Sequence, residues 1–205
     1  MARTGEQTRG AIRHERIIEA ALDVFTRRGY RDAAMDEIAA AADTSKGGLY
    51  FHFPNKQALF LALLDRMAAL LVGRVETALA AEPDPLRRID VALHVVLDTF
   101  GGHRRLTRLF LVDALGGGRE FNDKMLALHR TFAGLIAGHL EEAVARGAIP
   151  PLDTELAAMV WFGALNEVVT RWVLDDEAQS LQTSEPALRH LLRRSVGAPH
   201  EEVTR

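Results

Sequence analysis

Apolar side chains recur at three- and four-residue intervals along most of this 205-residue chain. That is the repeat of helices with one face turned inward. Ile17, Ile18, Ala21, Leu22 and Phe25 share one such face, and Gly29 follows as a terminating glycine. Short helices are predicted around Met35 to Ala42 and from about Ser45 to Phe53. Pro54-Asn55 breaks the chain, and Asn55 is placed to cap a long helix through Leu59, Leu63, Met67 and Leu71. After Pro83-Asp84-Pro85 the period resumes with Ile89, Leu93, Val96 and Phe100, then stops at Gly101-Gly102. Leu106, Leu109, Phe110 and Leu115 mark a further helix, ended by Gly116-Gly117-Gly118. A long helix from about Glu120 to Arg146 is closed by Gly147 and Pro150-Pro151. Asp153 begins the next, which reaches about Leu174, and Pro186 opens the last. The reading is an all-α chain of about nine helices with no strand.

Composition narrows the classes. Hydrophobic residues make up 48% of the chain, enough for a sizeable core. There is no cysteine, which excludes disulfides, zinc-thiolate sites and thiol catalysis. No stretch approaches the roughly 18 uninterrupted apolar residues of a membrane span, and Met1 to Arg16 lacks an apolar signal core. A cytoplasmic protein without membrane contact is expected. The eight histidines are scattered, and none forms the i, i+4 pair with a Glu that a helical zinc-protease site uses. Gly116-Gly117-Gly118-Arg119 lacks the Gly-Lys-Ser/Thr ending of a phosphate loop. No nucleophile elbow occurs, so neither an enzyme nor a cofactor or metal is expected.

The net charge of −3 does not itself suggest nucleic acid. Its distribution is more informative. Residues 1–56 carry nine Lys/Arg against eight Asp/Glu, a net of +1, which leaves −4 for the remainder. Arg3, Arg9, Arg13 and Arg16 oppose only Glu6 and Glu15, a mildly basic start. Residues 1–10 are read as a flexible basic arm and residues 11–56 as a small helical domain.

Within that domain, Asp36 to Phe53 reads as helix, tight turn, helix. Asp43 falls where a turn needs positive φ, which Asp tolerates. Ser45 is placed to cap the second helix. Lys46, Gly47 and Gly48 fill its first turn, although two glycines cost about 2 kcal/mol of helix propensity. Close approach of backbone to a groove or a phosphate would explain such bare positions. Leu49 and Phe53 anchor the helix inward. Lys46, Tyr50 and His52 are left outward, and Lys56 adds a cation in the next helix.

At these residues the chain resembles a known family. The segment Arg16-Ile17-Ile18-Glu19-Ala20-Ala21 … Phe25 … Gly29-Tyr30 … Ile38-Ala39 … Ser45-Lys46-Gly47 … Leu49-Tyr50 … His52-Phe53 … Asn55-Lys56 … Leu59 is similar to the DNA-binding domain of the TetR family of bacterial regulators. The likeness covers about residues 11–70, with the helix-turn-helix at about 34–53. Similar proteins usually have Gly at Asp43, an apolar residue at Thr44, a Thr or Ser cap at Ala34, and Thr, Ser or Ala at Gly48. Asp36 and Glu37 offset the missing cap through the helix dipole. The resemblance implies a repressor, a homodimer on a near-palindromic operator, with Thr44, Ser45, Lys46, Gly47, Gly48, Tyr50, His52, Lys56 and Arg13 at double-stranded DNA. Arg3, Arg9 and Arg13 would reach a minor groove or phosphates. A helical dimeric ligand-binding protein without sequence-specific DNA binding is the other reading.

It further implies that residues 57–205 bind a small-molecule effector and pair the subunits. Leu152 to Leu174 is apolar on more than one face, as in a helix buried on two sides. Leu165, Val169 and Trp172, with Leu188, Leu191 and Leu192 of the last helix, are candidates for an intersubunit four-helix bundle. Phe100, Arg104, Leu109, Phe110, His129, Phe132, Trp161 and Asn166 are candidates for apolar pocket walls with a few polar groups. Asn166 and Glu167 either face that cavity or pair across the dimer. Residues 162–173 are similar to the same helix in TetR-type regulators of fatty-acid degradation, which implies an acyl-CoA effector. His103, Arg104, Arg105 and Arg108 would then meet its phosphates. A common dimer helix with some other lipophilic effector fits equally.

Overall fold

A computed structural model describes residues 2–113 and 118–198. The expected helix end at Leu115 and Gly116-Gly117 lies outside the described residues, as do the side chains of Arg3 and Arg9. Among the described residues there are nine α-helices and no strand. They are α1 (Ala2–Asp32), α2 (Met35–Ala41), α3 (Lys46–His52), α4 (Lys56–Ala80), α5 (Pro85–Gly101), α6 (Arg104–Arg108), α7 (Arg119–Ala145), α8 (Thr154–Leu174) and α9 (Glu185–Ser195). A π-helical turn, Leu109–Asp113, follows α6, and a 3-10 turn, Leu181–Ser184, precedes α9.

The expected arm is helical backbone here, because α1 begins at Ala2. Gly29 interrupts α1 with φ 79° and ψ 165°, a combination open essentially to glycine. Asn55 caps α4 as expected, its Oδ1 accepting from the Ala58 amide at 2.7 Å.

The chain forms two compact units. The first is Met1–Ala69 with Arg108–Asn122, and the second is Leu70–Thr107 with Asp123–Arg205. The division expected at residue 56 is therefore not a single cut. Its physical reason is burial. Leu59, Phe60, Leu63 and Leu64 of α4 are buried, and Phe60 meets Phe25, Phe110 and Phe121 with ring centroids 5.2, 5.7 and 6.1 Å apart. Aromatic residues from beyond position 107 thus complete the first core. α4 runs without a break through the boundary.

In the second unit, Leu93, Leu97, Leu140, Ala158, Val173 and Leu181 are core residues. Polar ties join its helices. Arg193 pairs with Asp90 at 3.0 Å, Arg88 with Glu142 at 2.7 Å, and the Trp161 indole donates to Ser195 Oγ at 2.9 Å. These pairs link α9 to α5, α5 to α7, and α8 to α9. No helix among the described residues is long and apolar enough to cross a membrane.

Candidate functional site

The turn between α2 and α3 is built by backbone rules. The Thr44 amide donates to Ala39 O at 3.0 Å and the Asp43 amide to Ala40 O at 3.1 Å. That is the paired closure of a Schellman end, which puts its C′ residue at positive φ. Asp43 occupies that place with φ 48°, the one positive-φ non-glycine residue among those described. Arg16 secures the strained turn. Its Nη2 donates to Ala42 O at 2.6 Å and to Asp43 Oδ2 at 3.2 Å.

Ala34 gives α2 no side-chain cap, and Asp36 and Glu37 stand in its first turn. Ser45 caps α3, its Oγ accepting from the Gly48 amide at 3.1 Å. Leu49 and Phe53 are buried and hold α3 to the unit. The two glycines differ in cause. A Cβ on Gly48 would lie 2.7 Å from Thr44 Oγ1 and 3.2 Å from Ser45 Oγ. Its bareness therefore serves the cap rather than a groove. A Cβ on Gly47 would meet nothing within 4 Å, so Gly47 keeps the reading first given to both.

Lys46, Tyr50 and Arg13 are exposed, and Thr44 and His52 half-buried. Lys46 Nζ lies 2.9 Å from Asp36 Oδ1 and 3.0 Å from Oδ2, and this carboxylate raises the ammonium above the usual lysine range. Both side chains are mostly exposed, so the pair is screened by solvent. His52 sits 6.1 Å from the His14 ring. Burial, followed by the charges of His14 and Arg13, holds it below the usual imidazole range.

Lys56 departs from expectation. Its Nζ donates to Arg31 O at 2.8 Å and Ala33 O at 3.0 Å, and lies 5.1 Å over the Tyr30 ring. Here it closes the end of α1, because those carbonyls have no intrahelical donor. Phe51 was missed. It is 86% exposed on α3, two residues from each of the buried Leu49 and Phe53 and so on the opposite side of the helix.

The eight expected pocket residues do not form one group. Leu109 and Phe110 belong to the first unit, where Leu109 is buried and Phe110 packs on Phe60. The other six belong to the second. There His129 and Phe132 gather on Phe162 of α8, with centroids 4.8 and 6.2 Å apart. Burial lowers the His129 pKa. Phe100 and Asn166 are half-buried. Trp161 is buried and bonded to Ser195. Arg104 donates to Trp172 O at 2.8 Å and Asp175 O at 2.5 Å and lies 4.9 Å over the Trp172 ring. These contacts end α8. An open groove of about 820 Å³ along Trp172, Asp175, Gln179 and Thr183 contains none of the eight.

The expected dimer residues also divide. Val169, Leu188 and Leu192 are buried within their own chain, and Leu165 and Trp172 are half-buried. Leu191 is 65% exposed, as are more than half of Leu156, Met159 and Val160 on α8. Glu167 is exposed and paired with Arg171 one turn on. Among the described residues no cluster of His, Cys, Asp and Glu could hold a metal ion.

A capped helix-turn-helix with an exposed polar edge, continued by a helical second unit, defines a DNA-binding transcription regulator. The family model for bacterial regulatory proteins of the tetR family matches residues 17–63, and that for the C-terminal region of YsiA-like proteins matches residues 64–195. The chain belongs to the tetR family. Among its relatives, the fatty acid metabolism regulator protein of Bacillus subtilis is 23% identical over 88% of this chain and 93% of its own. The HTH-type transcriptional regulator RutR of Escherichia coli is 28% identical over 92% and 93%. The solved structure of FadR from Bacillus subtilis in complex with stearoyl-CoA superimposes with a TM-score of 0.79 at 24% identity, covering 91% of this chain and 99% of that one. These relatives are regulators and not enzymes.

Proposed function

We propose that this protein is a homodimeric repressor that reads a near-palindromic operator through α3 and is released by a lipophilic effector of the acyl-CoA class. The observation that carries the DNA reading is α3 itself. It is a seven-residue helix with one buried residue, Leu49, and an exposed edge of Lys46, Gly47, Tyr50 and Phe51. A helix held so lightly by its own core gains its purpose from what the other side touches.

The effector class is supported by the stearoyl-CoA bound to the FadR structure of the same fold. The ring cluster of His129, Phe132 and Phe162 is an apolar surface suited to an acyl chain. With Arg104 turned to the carbonyls that end α8, Arg105, exposed on α6, is the candidate for a phosphate. For the dimer, Leu156, Met159 and Val160 on α8 and Leu191 on α9 are large apolar residues left exposed. α4 belongs to both units and offers a covalent route between effector and DNA. A coupling of about 1–3 kcal/mol suffices for such a switch.

Fluorescence anisotropy with the promoter DNA beside its own gene tests the reading. A salt-sensitive, competitor-resistant complex is expected, weakened about tenfold or more by stearoyl-CoA. Absence of any such complex leaves a helical ligand-binding protein and sinks the repressor. Leu191→Glu is expected to yield monomers on size exclusion and to lose operator binding.

A further inference from the structure

Asp36 was the unexpected neighbour of the candidate DNA edge. It lies in the first turn of α2, ten residues before Lys46, yet both its oxygens lie within 3.0 Å of the Lys46 ammonium. The ordinary use of a lysine at a DNA surface is a phosphate contact, which is independent of sequence. A carboxylate at that distance cancels the charge and repels the phosphate. Lys46 is therefore poorly placed to add bulk attraction to DNA.

The pair has a different capacity. It is net neutral, and both side chains are largely exposed, so neither group is desolvated by the fold. The ammonium keeps donors beyond those turned to Asp36, and the carboxylate keeps acceptor lone pairs. One unit thus presents a donor beside an acceptor. In the major groove a G·C pair offers the complement, with the guanine O6 and N7 acceptors beside the cytosine N4 donor. A thymine would instead press its C5-methyl against two charges. The adjoining surface is open, since a Cβ on Gly47 would meet nothing within 4 Å.

We infer that Asp36 and Lys46 act as one reading unit for a G·C base pair in each half-site, with Asp36 as a specificity-determining residue that also withholds Lys46 from phosphates. The inference rests on the DNA-reading role of α3 proposed above.

The test begins with selection of duplexes from a randomised pool by the full-length protein. Binding of the selected and of a scrambled duplex is then titrated against salt for the wild type, Asp36→Ala and Lys46→Gln. A fixed G·C position in each half-site is expected for the wild type. Asp36→Ala should bind the scrambled duplex about eightfold more tightly at 0.1 M salt, with a salt slope steeper by about 0.9, because Lys46 is freed for one more phosphate. It should lose about tenfold of discrimination at that G·C pair. Lys46→Gln should lose the same discrimination with its salt slope unchanged. Since both side chains sit at the surface, circular dichroism melts should match the wild type. Unchanged slope and preference in Asp36→Ala overturn the inference. So does a shallower slope in Lys46→Gln, which would place Lys46 on a phosphate. Either result leaves α3 as the reader of DNA. Failure of the wild type to select any sequence would overturn the DNA reading, and this inference with it.

Discussion

Two helix ends, one in each unit, are closed by the same device. At the end of α1, Lys56 reaches the carbonyls of Arg31 and Ala33 and lies over Tyr30. At the end of α8, Arg104 reaches the carbonyls of Trp172 and Asp175 and lies over Trp172. Terminal carbonyls lack helical donors and carry the negative end of the dipole, so a cation is favoured there. Sequence reading assigned one cation to DNA and the other to the effector. The two sites differ in reach. Arg104 donates to both carbonyls from one nitrogen, Nη2, of a rigid planar guanidinium, whereas Lys56 applies a point charge with three rotatable donors. A basic residue near a candidate site is therefore not yet a ligand residue, because the helix ends of the fold compete for it.

The largest expected effect separates the two caps by stability. Arg104→Ala removes two charge-assisted hydrogen bonds and a ring contact, and should cost about 3 kcal/mol in urea unfolding. Arg104→Lys should recover less than half. A loss under about 1 kcal/mol would return Arg104 to the pool of ligand candidates. Lys56→Ala is next, at about 1–2 kcal/mol, since its bonds of 2.8 and 3.0 Å are the longer set, against 2.8 and 2.5 Å for Arg104. If Lys56 serves α1 alone, the folded variant keeps the wild-type salt slope on operator DNA. A slope shallower by about 0.9 would show a phosphate contact and divide the two caps in kind.

What was legible in the sequence is what neighbours within a few residues decide. The Ser45 cap, the Asn55 cap and the positive φ of Asp43 are local. α7 closes by the same paired turn as α2, with Gly147 at its positive-φ position. There glycine suffices, whereas Asp43 has the added support of Arg16, 27 residues away. Distant partners were not legible. Lys56 meets a carbonyl 25 residues back, and Arg104 one 71 residues on. Nor does periodicity orient a helix that is apolar all round. On α8 it could not tell buried Val169 from exposed Val160, because both faces carry the same chemistry.

The aromatic floors give a smaller contrast. Trp172→Phe keeps a ring beneath Arg104 but loses the indole donor to Gln179 O, a 2.9 Å bond, and should cost about 1 kcal/mol. Tyr30→Phe keeps the ring beneath Lys56 and the packing on Phe25 and Phe60, and should cost under about 0.5 kcal/mol. Equal costs would mean that the indole bond contributes nothing at the α8 end.

The smallest effect concerns acid, and again sets one unit against the other. His52 and His129 are both held below the usual imidazole range, each chiefly by burial. The unfolded chain then binds protons more readily than the folded one as pH drops below about 6.5. Their contribution is complete above that value and is lost as pH falls through the lower folded pKa. Unfolding midpoints in urea should therefore decline from pH 7.5 to 5.5, and the decline should shrink in His129→Gln. His52→Gln should shrink it less, since His52 is the less enclosed of the two and shares its environment with His14 and Arg13. A decline unchanged in both variants would place the acid sensitivity elsewhere. A decline removed by His52→Gln alone would locate it in the first unit, where protonation would add positive charge beside the edge proposed to read DNA.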